Sequence, residues 1–138
     1  MVRRDLAFRP IVLFKDYLKY GYFPYFKEDK EGYFDRLSET VNTIIEVDLP
    51  ATIDVEYSTI IKIKKLFSII AAGVPFTPNI SRLAEQVGTT RSSLLNYLEA
   101  LGRAQAILML DKEAQGLKRM AKPEKIYLEN PNLFYVFN

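Results

Sequence analysis

The chain has neither cysteine nor histidine in its 138 residues. Without cysteine there is no disulfide and no thiolate metal site, which fits a reducing compartment. Without histidine the commonest general base and the commonest zinc ligand are gone. Serine triads and ordinary zinc hydrolase sites are therefore excluded within these residues. Charge of one sign is scarce as well. Lys and Arg number 19 against 17 Asp and Glu, a net +2, so global electrostatics do not signal nucleic acid. The two signs balance over residues 1–80, and the whole excess lies in residues 81–138. Long hydrophobic runs are missing too. The richest, Ile60 to Ala72, is broken by Lys62, Lys64 and Lys65 and cannot span a bilayer. The basic start at Met1 lacks the apolar core of a signal peptide. The expectation is a cytoplasmic protein with no membrane partner. No G-x-x-x-x-G-K-[ST] occurs and no hydrophobic strand ends in paired acids, so nothing here cradles a triphosphate.

Apolar residues make up 49% of the chain and aromatics 13%, enough for one domain or two very small ones. Proline suits a first helical position, which predicts a helix from Pro10 to Tyr20. Gly21 is its C-cap, and Ile11, Phe14, Leu18 and Tyr17 are its expected buried face. An aromatic segment, Tyr22 to Phe26, is interrupted by Pro24. Phe34, Leu37, Val41, Ile44 and Ile45 recur every three to four residues, which predicts a helix over about Tyr33–Val47, ended by Pro50. A third helix, Tyr57–Ala72, carries an apolar arc wide enough for a central position. Gly73, Pro75 and Pro78 then break the chain.

The stretch Leu83 to Leu101, LAEQVGTTRSSLLNYLEAL, has the pattern of a helix-turn-helix. Leu83, Ala84 and Val87 share one face. Gly88 stands where a sharp turn needs a residue without Cβ. Thr89 and Thr90 offer capping oxygens, and Asn79 caps the first helix of the pair. Leu94, Leu98 and Leu101 form the second stripe. Gln105–Leu110 and Lys125–Glu129 read as strands, joined by a basic segment, Asp111 to Pro123. That is the layout of a winged helix. The apolar end, Asn132 to Asn138, is expected to pack against something, and the natural protein to continue. The fold class is therefore mainly α: a helical, lid-like bundle over residues 1–73, then a winged helix-turn-helix with a small β-hairpin over residues 74–138.

Several motifs in order resemble a known family. They are Asp16-Tyr17-Leu18-Lys19-Tyr20-Gly21-Tyr22-Phe23-Pro24, then Ile44-Ile45-Glu46-Val47-Asp48-Leu49-Pro50, then Val74-Pro75-Phe76-Thr77-Pro78-Asn79-Ile80. Lys122-Pro123-Glu124-Lys125-Ile126-Tyr127-Leu128-Glu129-Asn130-Pro131-Asn132-Leu133 completes the series. Together they resemble the region that follows the ATPase core in the archaeal-type AAA+ P-loop ATPases. Tyr22 departs from the pattern, standing where many members have a second glycine. The resemblance implies a lid and winged helix cut away from an ATPase core. ATP and Mg²⁺ would belong to that core, and no cofactor, metal or catalytic residue to these residues. It also implies nucleotide-driven rotation of the winged helix about breaks at Pro50 and Gly73–Pro78.

Candidate contacts follow. Thr90, Arg91, Ser92, Ser93 and Asn96, with Arg103 farther along, are polar positions on the second helix of the pair. In helix-turn-helix proteins that end enters the major groove of double-stranded DNA, where Arg reads guanine and Asn reads adenine. Protein contact and a plain solvated face stay open beside this. Lys118, Arg119 and Lys122, with Lys112, would reach phosphates from the wing. Tyr20, Tyr22, Phe23, Tyr25 and Phe26 are candidates for an interface with the missing ATPase core, beside the bland alternative of core packing. Truncation there would also favour self-association. Arg3, Arg4, Arg9 and Arg36 are candidates to face nucleotide. Asp16 with Glu28-Asp29-Lys30 superficially matches a metal-dependent nuclease, but such carboxylates must converge from a sheet.

Overall fold

Pro10 opens the first helix, α1 (Pro10–Tyr20), where its missing N–H costs nothing. The computed structural model describes residues 9–52, 56–73, 77–110 and 123–137. Gly21 ends α1 with its N–H donating to the Tyr17 carbonyl at 2.7 Å. Its φ is an ordinary −84°, so left-handed backbone is not what calls for glycine. Space is. A Cβ there would lie 2.8 Å from the Tyr17 carbonyl oxygen and 2.9 Å from its Cα. A single 3-10 turn follows at Pro24–Lys27.

The second helix, α2 (Tyr33–Thr43), buries Tyr33, Leu37 and Val41 at intervals of four. The helical path does not stop at Pro50, as the sequence led us to expect. It widens into a π-turn at Ile44–Asp48 and runs on as α3 (Leu49–Thr52). Proline lacks the donor N–H and needs room near the carbonyl four residues back. The wide turn that immediately precedes Pro50 supplies that room, as π-bulges do elsewhere. Pro50 therefore lies within the helical path rather than at its end.

Helix α4 (Tyr57–Ala72) buries Ile63, Leu66, Phe67, Ile70 and Ala71. It touches the π-turn, the helix pair that follows, the sheet and the C-terminal helix, which is the central position its wide arc predicts. Ile61 is left on the solvent side, 52% exposed. The helix pair is α5 (Ile80–Val87) and α6 (Arg91–Arg103). Asn79 caps α5 by accepting from the Arg82 N–H at 3.1 Å. Gly88 ends it at φ +78°, a conformation that costs a side chain about 1–2 kcal/mol. Thr90 caps α6 by accepting from the Ser93 N–H at 3.1 Å.

Strands β1 (Ile107–Leu110) and β2 (Lys125–Leu128) pair antiparallel, with Ile107 opposite Leu128 and Leu110 opposite Lys125. The last helix, α7 (Asn132–Phe137), packs on α1, α2 and α4. Tyr33, Phe67, Leu98, Ile126 and Leu133 belong to one cluster of buried residues. That cluster draws on α2, α4, the helix pair, the sheet and α7 alike.

One expected face is not buried. Ile11, Phe14 and Tyr17 stand 70%, 59% and 53% exposed, and no residue of α1 is buried. Only Leu18, Lys19 and Tyr20, in its last turn, are half-buried. The reason lies in where α7 docks. It packs on the C-terminal end of α1, where Leu18 accepts from Asn132, while Ile11 to Phe14 in the first turns stay exposed.

Candidate nucleic-acid interface

Helix α6 presents two unlike faces. Leu94, Tyr97, Leu98, Ala100 and Leu101 are buried. The other face carries Thr90, Arg91, Ser92 and Asn96, all exposed, with Ser93 half-buried. Within this group the structure separates caps from free side chains. The Thr90 hydroxyl donates to the Ser93 hydroxyl at 2.9 Å while accepting from the Ser93 N–H. Those two residues are occupied in starting the helix. Arg91, Ser92 and Asn96 make no side-chain hydrogen bond or ion pair among the described residues. They project at the N-terminal end of α6, where unpaired N–H groups and the helix dipole favour an anion. Arg103, farther along, is paired with Glu99. The candidate wing residues Lys112, Lys118, Arg119 and Lys122 lie outside the described residues, as do Arg3 and Arg4.

The aromatic candidates form an inward-facing cluster around Tyr33. Tyr20 and Tyr25 lie 5.6 Å and 5.1 Å from the Tyr33 ring, and Phe23 stacks on Tyr25 at 5.5 Å. Tyr20, Phe23, Tyr25 and Phe26 are half-buried against the core. Tyr22 faces outward, and its hydroxyl donates to the Glu129 carboxylate at 3.0 Å. That hydrogen bond raises the Tyr22 pKa, and the carboxylate charge adds to it. The Tyr25 hydroxyl is buried with no partner in hydrogen-bonding geometry. Burial raises its pKa, and the nearby Thr40 hydroxyl offsets only part of that.

The residue that organises this cluster was missed by sequence reasoning. Asn132 is fully buried and joins three distant segments. Its Oδ1 accepts from the Tyr33 hydroxyl at 2.6 Å and from the Tyr22 N–H at 2.9 Å. Its Nδ2 donates to the Leu18 carbonyl at 2.6 Å. Asn130, also buried, caps α7 by accepting from the N–H groups of Asn132 and Leu133. The signal was present in Asn130-Pro131-Asn132, since an Asn before a proline is a helix-start signature. Burial pushes the Tyr33 pKa up to about 12, with the Phe23 backbone opposing in part.

The nuclease-like residues are spoken for. Asp16 pairs with Lys30 at 2.8 Å, Glu28 with Arg36 at 3.4 Å, and Asp29 accepts from the Gly32 N–H at 2.9 Å. Among the described residues no group of three or more acidic side chains could hold a metal ion, and no helix is long and apolar enough to cross a membrane. An open groove of about 340 Å³ lies between the end of α4, β2 and the start of α7, lined by Ile70, Ile126, Leu128 and Phe134 among others. Its walls are apolar, and its one carboxylate, Glu129, already accepts from Tyr22.

Fold and site together define a mainly helical protein with a small two-stranded antiparallel sheet and one polar helix face turned to solvent. The chain belongs to the family described as Domain of unknown function (DUF8612), matched over residues 11–136. No curated protein and no solved structure shows a significant match to it.

Proposed function

We propose that this chain is a non-catalytic regulatory and interaction region of an AAA+ type P-loop ATPase acting in the cytoplasm. Helices α5 and α6 with the β1–β2 hairpin would act as its winged helix. The observation that carries the reading is the split character of α6. One face is wholly built into the core, while Arg91, Ser92 and Asn96 at its N-terminal end have no partner within the described residues. Together with the ordered motifs that resemble the post-ATPase region, this supports a module that offers a helix end to a ligand. Double-stranded DNA is the ligand that Arg and Asn at this place fit best. The core shared by α4, the helix pair and α7 favours movement of these residues as one body. Rotation about residues 73–78 would have to break it.

Titration of the chain against random-sequence duplex at low and moderate salt tests the reading. Binding should fall steeply with salt, because released counterions drive phosphate contact. Arg91→Ala should weaken it, by about 1–3 kcal/mol if the guanidinium reads a base. No binding even at low salt would point the winged helix at a protein surface instead. The second reading, a stand-alone winged-helix transcriptional regulator, rests on the same α6 face. A Walker A motif upstream in the full-length protein separates the two, and its absence would sink the ATPase reading.

A further inference from the structure

We draw no further inference here: the strongest candidate, the apolar groove between the end of α4, β2 and the start of α7, is lined by Ile70, Ile126, Leu128 and Phe134 among others, and nothing in the structure shows what covers it.

Discussion

Replacing Asn132 with alanine should be among the most costly single changes in this chain. The side chain is fully buried and its amide satisfies three groups at once: the Tyr33 hydroxyl, the Tyr22 N–H and the Leu18 carbonyl. Each group left buried without a partner costs about 1–3 kcal/mol. The Tyr22 and Leu18 groups are only partly buried and recover some of this from water, so the sum for Asn132→Ala is about 3–5 kcal/mol. A domain of this size is stable by about 5–15 kcal/mol. The change would remove a large part of that and lower the melting temperature by on the order of 10 °C. Urea unfolding followed by circular dichroism at one fixed protein concentration measures it, with the slope against urea unchanged. Asn132→Asp sharpens the argument. Its carboxylate still accepts from Tyr22 and Tyr33 but turns an oxygen toward the Leu18 carbonyl. Burial and that carbonyl raise the pKa of the introduced group. Its protonated form regains a donor, so the deficit relative to wild type should shrink as pH falls from neutral toward about 4. An alanine variant within about 1 kcal/mol of wild type would refute the clasp. An aspartate deficit independent of pH would refute the donor role of Nδ2.

Three further outcomes follow from local geometry. Tyr33 is held protonated with its pKa raised from 10.0 to about 12, so its contribution is complete below about pH 10 and is lost as pH rises toward about 12. Alkaline unfolding should therefore steepen in that window, and Tyr33→Phe, less stable at neutral pH, should show a shallower loss there. Gln105 is the one described non-glycine residue at positive φ, +54°, and it is exposed. Gln105→Gly should raise stability by about 0.5–1 kcal/mol, and an unchanged urea midpoint would count against strain at this position. Gly88 at φ +78° has open space where an alanine methyl would stand, with nothing within 4 Å. Gly88→Ala should thus cost only the backbone term of about 1–2 kcal/mol, and a larger loss would mean that packing in the α5–α6 turn is tighter than the geometry shows.

Local rules were legible in the residues. Pro10, Gly21, Asn79, Gly88 and Thr90 act within a turn or two of their own positions, through a fixed φ, a missing Cβ or a side-chain oxygen near a free N–H. Their helix ends fell where the sequence put them. The apolar stripes of α4, α5 and α6 marked core faces for the same reason, since periodicity reports one helix against a generic interior. The α6 polar face was legible too, although only the structure separated the Thr90–Ser93 cap from the unpaired Arg91, Ser92 and Asn96.

Position relative to other elements was not legible. The apolar residues of α1 have the composition of a buried face, and α7 docks only at the far end of that helix. Pro50 should stop a helix by local rules, and a widened turn before it absorbs the conflict. Asn132 reads as a polar residue near a chain end, yet it bonds to residues 99, 110 and 114 positions away. Such contacts depend on which surfaces meet after the chain has folded back on itself. The sequence by itself determined α1, the core of α2, α4, α5 and α6, the caps at Gly21, Asn79 and Thr90 and the solvent-facing start of α6, because those depend on neighbours along the chain. Only the tertiary structure decided that the aromatic cluster closes on a buried asparagine and that the apolar start of α1 is left exposed, because those depend on neighbours in space.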